Sequence, residues 1–463
     1  MTTAKTFSVI SPIDGSVYLE RPYASSTDID KTFAQANTAF SHWRETPLAK
    51  RIEICTALVD YFQANQDSIA KSITWQMGRP IAYSAGEARG TADRAKVMTE
   101  IAARKLQNVD VPAQEGFKRY MQRVPLGVVF SMTPWNYPFL TAVNVVVPAI
   151  LAGNVVVMKA SAQTPQTAEI FADAFNAAKL PQHVFQFLHL DHAATESILK
   201  KAPINYVGFT GSVSGGAAVE RALAGRFIGL GLELGGKDPA YVRADAPVEQ
   251  TVVNLVDGAF FNSGQSCCGI ERIYVQRAIF KDFVDAFVAE VNKYKLDDPS
   301  KPDTTLGPMV RASAAEHVRK QIDDALAKGA KALIDEKHFP KSGKGTPYLA
   351  PQVLIDVDHS MDVMREESFG PVIGIMPVDN DEQAVELMND SHYGLTASIW
   401  TQDMDVAERL GQQLETGTVF MNRCDYLDPY LCWNGVKDTG RGGTLSEIGF
   451  EHLTRPKSFH LKR

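Results

Sequence analysis

Phe260-Phe261-Asn262-Ser263-Gly264-Gln265-Ser266-Cys267-Cys268 ends an apolar run in a glycine-containing turn and then sets two thiols side by side. A turn of this kind exposes a sulfur at a pocket floor, and a thiolate is a strong nucleophile at neutral pH. The pair also fits two small buried hydrophobes, the commoner fate of intracellular cysteine. Gly231-Leu232-Glu233-Leu234-Gly235-Gly236-Lys237 closes a strand-like run with one carboxylate among apolar residues and glycines. Such surroundings raise a carboxyl pKa and suit a general base. Taken alone, a satisfied carboxylate at a strand end is the commoner explanation.

Thr133-Pro134-Trp135-Asn136-Tyr137-Pro138 follows another strand-like run. Its two prolines fix the loop, so the Asn136 amide suits an oxyanion donor or an Asx turn. Phe209-Thr210-Gly211-Ser212-Val213-Ser214-Gly215-Gly216 joins a strand to a helix. Its glycines admit close backbone approach, and the helix start favours an anion such as pyrophosphate. The Gly-x-Gly-x-x-Gly spacing of the usual dinucleotide fingerprint is absent.

These segments need elements to hold them. Apolar spacing predicts helices over 28–43, 51–62 and 87–106, with Gly78-Arg79-Pro80 as a break. From Gly127 onward short apolar runs alternate with helical stretches. Strands are predicted at 127–130, 155–158, 184–188, 206–209 and 228–234, with helices at 164–178 and 214–223. A second alternating series runs from Tyr241 to Met421. Strand–helix alternation predicts parallel sheets with right-handed crossovers, here in two α/β domains.

The 463 residues are about three times the usual ~150 per domain. With 45% hydrophobic and 22% charged residues, disorder and coiled coil are excluded as the main theme. The net charge of −7 and the lack of a Lys/Arg-rich run argue against nucleic acid or an anionic membrane as partner. Five cysteines, without zinc spacing, do not make a secreted disulfide framework or a metal site. Residues 1–10 hold one lysine and no long apolar core, unlike a secretory signal. The longest apolar stretch, 142–152, is far short of the ~20 residues that span a bilayer. A cytoplasmic setting is the expectation.

Taken together and in order, the motifs resemble those of the aldehyde dehydrogenase superfamily of NAD(P)-dependent enzymes. The resemblance runs from Ser11-Pro12-Ile13-Asp14-Gly15 to the C-terminal strand. It rests on Pro134-Trp135-Asn136-Tyr137-Pro138, Met158-Lys159-Ala160-Ser161, Phe209-Thr210-Gly211-Ser212, Glu233-Leu234-Gly235-Gly236-Lys237, Gly264-Gln265-Ser266-Cys267 and Glu367-Ser368-Phe369-Gly370-Pro371.

The resemblance implies an α/β fold with a Rossmann-like cofactor domain (residues 1–106 and 126–235) and a catalytic domain (236–445). A small β oligomerisation element (107–125 and 446–463) would make homodimers or homotetramers. It implies Cys267 as nucleophile, Asn136 with the Cys267 N–H as oxyanion donors, and Glu233 as activator of the hydrolytic water. NAD or NADP would be held by Lys159, Ser161, Gly211, Ser212, Glu367, Phe369 and Trp135. An aromatic, weakly polar substrate pocket would use Tyr137, Leu140, Asn144, Phe261, Ser266, Cys268, Tyr426 and Tyr430. That lining suits a medium aliphatic or aromatic aldehyde. A semialdehyde such as succinate semialdehyde, the runner-up, needs a cationic clamp, for which Arg423 is the one candidate, although a surface or interface arginine is the commoner reading of it.

The chain departs from the family pattern in four places. Ala162 stands where NAD-type relatives often have Glu, so no carboxylate opposes a 2′-phosphate and NADP⁺ should be accepted. Gly442 replaces the Glu of Gly-Arg-Glu, and Val145 replaces a common Lys, which leaves the proton-exit route open. Cys432-Trp433-Asn434-Gly435 replaces Pro-Phe-Gly-Gly. Transfer of the acyl group to coenzyme A is the competing reaction, but acylating relatives typically lack the Glu found here at 233. A non-catalytic scaffold derived from the fold is the other alternative, against which Cys267, Asn136 and Glu233 all stand.

Overall fold

The computed structural model describes residues 5–463. Residues 1–4, the start of the segment read as lacking a secretory signal, lie outside them. Strands Thr6–Ile10 and Val17–Pro22 pair antiparallel and lead into four helices, Ser26–Trp43, Leu48–Ala64, Gln66–Met77 and Ile81–Lys105. Ser25 and Asp28 cap the first helix reciprocally, satisfying N–H groups that have no partner within the helix. The helix Gln66–Met77 is not apparent in the hydrophobic pattern. Its buried face mixes Ile69, Ile73 and Met77 with Ser72, Thr74 and Gln76; Ser72 and Gln76 hydrogen-bond each other and Gln166, and Thr74 pairs with Ser84.

Helices Leu48–Ala64 and Ile81–Lys105 bury Ile54, Leu58, Phe62, Ala92, Ala95 and Met98 in one core. Strands Val128–Met132 and Val155–Lys159 complete it, and they read as continuous apolar runs because both faces are covered. The six-stranded sheet has the order Gly440–Arg441, Gly229–Glu233, Tyr206–Thr210, Val128–Met132, Val155–Lys159, Phe185–Phe187. All its pairs are parallel except the first. Chain order reverses direction between Val128–Met132 and Tyr206–Thr210. In such sheets ligands bind beyond the carboxyl ends of the strands at that switch point. The two loops leaving it are Thr133–Tyr137 and Gly211–Ser212.

A seven-stranded sheet follows, ordered Lys331–Ala332, Gln352–Ile355, Val372–Val378, Ile270–Gln276, Asp238–Val242, Thr396–Trp400, Thr418–Met421. Only its first pair is antiparallel. A third sheet pairs Thr454–Lys462 with Phe117–Pro125 over nine residues and adds Val109–Asp110. The apolar stretch near residue 145 belongs to the helix Pro138–Leu151, buried almost all round. No helix among the described residues is long and apolar enough to cross a membrane.

Candidate active site

Two cavities meet at Cys267. One, of about 350 Å³, has Tyr137, Leu140, Glu233, Phe261, Cys268 and Tyr426 in its wall. The other, of about 370 Å³, is bordered by Trp135, Asn136, Gly211, Ser212, Glu367 and Phe369. Cys267, Thr141, Thr210 and Leu234 belong to both. The motifs that lie far apart in the chain are thus brought together around one sulfur.

The turn that carries Cys267 follows helix Val248–Phe260. Asn262 and Ser263 take left-handed backbone angles, φ 54° and 57°, at a cost of order 1–3 kcal/mol each. Side-chain bonds hold them there. Ser263 Oγ donates to the Gly307 carbonyl at 2.7 Å, and Gln265 Nε2 donates to the Asn262 carbonyl at 3.1 Å. The Val310 N–H donates to Gln265 Oε1 at 2.8 Å, so the second sheet's connections grip the turn. Gly264, at φ 70°, leaves no room for a Cβ, which would overlap the Gly370 carbonyl. Gly236 is constrained the same way by the carbonyl of Cys267 itself, which couples the Glu-Leu-Gly-Gly motif to the thiol.

Cys267 is half-buried and Cys268 buried. The Cys268 thiol donates to Asp425 Oδ1 at 3.0 Å, and Ser266 Oγ donates to the same oxygen at 2.9 Å. The adjoining Cys267 sulfur, burial and the Asp425 carboxylate all push the Cys268 thiol well up. It therefore stays protonated and makes a poor nucleophile.

Asn136 is buried, and its Nδ2 donates to the Gln265 carbonyl at 3.2 Å. A second donor of that amide remains for a ligand. Arg79 fixes the loop from behind. Its guanidinium pairs with Glu87, donates to the Asn136 carbonyl and reaches Asn262 Oδ1 at 3.2 Å. It also lies 4.3 Å from the centre of the Tyr137 ring. Glu87 accepts the Phe139 N–H at 2.7 Å and the Leu140 N–H at 3.3 Å, capping helix Pro138–Leu151.

Glu233 ends its strand between two hydroxyls. Thr444 Oγ1 donates to it at 2.6 Å and Thr210 Oγ1 at 3.2 Å. Burial raises its pKa, and the two threonines and Arg94 pull in the opposite direction. A small space behind Glu233 is lined by Val145, Tyr206, Gly442 and Thr444. The two departures from the family pattern, Val145 and Gly442, thus sit together there.

On the other side, Ser212 caps the helix Val213–Leu223, its Oγ accepting the Gly215 N–H at 3.1 Å. Glu367 accepts the Gly236 N–H at 3.0 Å, and burial pushes its carboxyl up to about 8. Glu271 holds the neighbouring loop through the N–H groups of Ser368, at 2.8 Å, and Phe369, at 2.9 Å. Lys237 braces Glu271 at 2.5 Å and Ser368 Oγ at 3.1 Å. Trp135 and Phe369 meet edge to face with centroids 5.6 Å apart. Lys159 and Ser161 lie outside both cavities, at the carboxyl end of the next strand. Among the described residues the Lys159 ammonium reaches only the Ala160 carbonyl, at 3.2 Å, and burial lowers its pKa. A helix N-terminus, an enclosed carboxyl and an uncommitted ammonium along one line of strand ends fit the pyrophosphate and ribose hydroxyls of a dinucleotide.

Tyr430, expected in the substrate pocket, is placed elsewhere, and Arg423, weighed as a clamp, lies at the surface. The Tyr430 hydroxyl donates to Glu100 at 2.9 Å, outside the cavity. Arg423 is exposed, with its guanidinium 3.3 Å from the centre of the Tyr426 ring, and it does not line the cavity either. Leu140, Asn144, Phe261, Ser266, Cys268, Tyr137 and Tyr426 do line it. Sequence reasoning missed Arg94, Asp425, Thr210 and Thr444. Of these, only the threonines stand in or beside motif segments that could have drawn attention.

The aldehyde dehydrogenase family model matches residues 1–459. The chain is 32% identical over 454 residues to a succinate-semialdehyde dehydrogenase [NADP(+)] of Mycobacterium tuberculosis, covering 97% of this chain and 98% of that protein. It is 33% identical over 444 residues to the succinate semialdehyde dehydrogenase [NAD(P)+] of Escherichia coli K12, covering 96% and 95%. An aldehyde dehydrogenase structure from Brucella melitensis biovar abortus superposes with a TM-score of 0.95 at 29% identity, covering 99% of this chain and 94% of the other. The structure of an E. coli NADP dependent enzyme gives 0.94 at 27% identity, covering 99% and 95%. Fold, motif order and full-length similarity agree: the chain belongs to the aldehyde dehydrogenase family and is an NAD(P)-dependent aldehyde dehydrogenase.

Proposed function

We propose that the protein oxidises its aldehyde to the free carboxylic acid through a thioester on Cys267, hydrolysed with Glu233 as base. The observation that supports this best is the position of Cys267 at the junction of two cavities, with Glu233 in one wall and Asn136 in the other. The Cys267 thiolate adds to the aldehyde carbon, and the C=O π pair moves to oxygen. Asn136 Nδ2 and the Cys267 N–H stabilise that oxyanion, at typically about 3–4 kcal/mol per donor. Addition turns an sp² carbon that gives up hydride poorly into an sp³ carbon with an oxyanion pushing the hydride out. When bound, the oxidised nicotinamide supplies the hydride acceptor. Glu233 then takes a proton from water as its oxygen attacks the thioester; the C–S bond breaks, and the acid leaves. One aldehyde, one NAD(P)⁺ and one water give one acid, one NAD(P)H and one proton.

Thr444 tunes the base. Its hydroxyl favours the ionised form of Glu233 against burial. Thr444→Val removes that donor and raises the Glu233 pKa. A base acts in its ionised form, so the acid limb of kcat should move to higher pH, by about one pH unit. An unmoved profile in steady-state rates across pH, with hydrolysis limiting, would count against Glu233 as the base.

In this reading Lys159 and Ser161 take the adenosine ribose, and Gly211 and Ser212 the pyrophosphate. Glu367, Phe369 and Trp135 hold the nicotinamide end. Ala162 leaves the ribose 2′ side without a carboxylate, so NADP⁺ is accepted alongside NAD⁺. The domain division given above and self-association through the strand Thr454–Lys462, whose outer edge is open, are part of the same proposal.

The apolar walls suit the body of a medium aliphatic or aromatic aldehyde. The relatives at 32% and 33% identity favour a second reading, in which that aliphatic body carries a carboxylate. Initial rates with NAD⁺ and NADP⁺, with and without coenzyme A and with the product assayed as free acid, test the reaction. Acid should form in step with NAD(P)H without coenzyme A. An absolute need for coenzyme A overturns the hydrolytic reading. An NADP⁺ kcat/KM below roughly one hundredth of the NAD⁺ value overturns the reading of Ala162.

A further inference from the structure

Arg94 stands in the wall of the cavity that also holds Cys267 and Glu233. It projects from helix Ile81–Lys105 onto helix Pro138–Leu151. There its Nη1 donates to the Leu140 carbonyl at 2.7 Å and to Asn144 Oδ1 at 3.3 Å. Both acceptors are neutral. Nε and Nη2 have no partner among the described residues, and Arg94 makes no ion pair with any of them. Arg79, by contrast, is paired with Glu87 and Lys237 with Glu271.

The cavity's own acids do not fill the role. Asp425 is held by Ser266 and Cys268, and burial pushes it toward its neutral form. Glu233 is held by Thr444 and Thr210. Asp93 lies at the exposed rim. A guanidinium enclosed without a carboxylate gives up hydration and receives no ion pair in return. Its Nε and Nη2 edge offers two parallel N–H groups, the fork that matches one carboxylate. Leu140, Phe261 and Leu427 give apolar surface along which a methylene stem can lie.

We propose that Arg94 anchors a carboxylate at the far end of the aldehyde substrate, so that the preferred substrates are short aliphatic aldehydes ending in a carboxylate. The proposal rests on the reading of this cavity as the aldehyde site. It moves the clamp from Arg423, on the exposed loop, to a residue inside the wall.

The test compares wild type, Arg94→Met and Arg94→Lys on three probes of equal chain length: succinate semialdehyde, butanal and 4-aminobutanal. Wild type should favour succinate semialdehyde in kcat/KM. Arg94→Met should lower the ratio of succinate semialdehyde to butanal by roughly 100-fold, mostly through KM, and Arg94→Lys should restore part of it. Succinate should compete with butanal in wild type and lose that effect in Arg94→Met. Equal losses on both probes would make Arg94 a structural residue and overturn the proposal. A wild-type preference for butanal overturns it as well, and a preference for 4-aminobutanal would assign the end of the pocket to Asp93 and Asp425. If Arg94→Met does not fold, the wild-type preference, the succinate competition and Arg94→Lys still decide. The underlying reading fails separately, if wild type oxidises none of the three or Cys267→Ala still does.

Discussion

Cys267→Ala should lose aldehyde oxidation by roughly 10⁴-fold or more, because removing a covalent nucleophile removes every step that follows it. No neighbouring group is placed to replace it. The Cys268 sulfur is adjacent, but it is buried, hydrogen-bonded to Asp425 and held protonated. An alanine changes little else, since the turn is fixed by Ser263, Gln265 and Gly264 and not by the thiol. The variant should therefore unfold near the wild-type midpoint. Dinucleotide reduction by the purified variant, set beside its thermal unfolding, is the measurement. Activity within tenfold of wild type would remove Cys267 from the reaction and every role built around it.

The site was legible wherever backbone geometry restricts the residue type. Gly264 and Gly236 admit no side chain, and Pro134 and Pro138 fix the loop that carries Asn136. Such residues stand out in sequence because few others satisfy the same dihedral or contact. The parallel strands were legible for a similar reason: residues 128–130 and 155–158 are apolar on both faces, with no polar alternation to obscure them.

Arg94, Asp425, Arg79 and Glu87 were not legible as site residues. Along the chain Asp93-Arg94 and Glu87 look like the solvated face of a helix. Only the approach of helix Pro138–Leu151 turns Glu87 into its cap and Arg94 into a cavity wall. That approach is a tertiary fact with no local signature. Tyr430 failed in the opposite sense. It lies close in sequence to Tyr426, but the loop turns its hydroxyl toward Glu100. The late strand Gly440–Arg441 pairs with Leu232 and Glu233, so a segment near the C-terminus helps to hold the proposed base. Nothing in its Gly-Arg-Gly-Gly-Thr run announces that partner.

Glu233→Gln separates the two halves of the proposed reaction. Glutamine has nearly the same shape, and the hydroxyls of Thr444 and Thr210 can accept from its amide as well as donate to its carbonyl, so the pocket should keep its form. Addition of Cys267 to the aldehyde and loss of hydride do not call on residue 233. Hydrolysis does. Mixing Glu233→Gln with aldehyde and NAD(P)⁺ should give a burst of about one reduced dinucleotide per active site, followed by a steady rate some 10²–10⁴ below wild type. The acyl group should be found by mass on the peptide that contains Cys267, and hydroxylamine, which cleaves thioesters unaided, should restore turnover. A steady rate equal to wild type would show that water needs no base at this position. A variant with neither burst nor turnover would place the carboxylate before hydride loss, at the activation of the Cys267 thiol. The burst therefore decides which of the two chemical roles the buried carboxyl performs, and it does so without knowledge of the natural aldehyde.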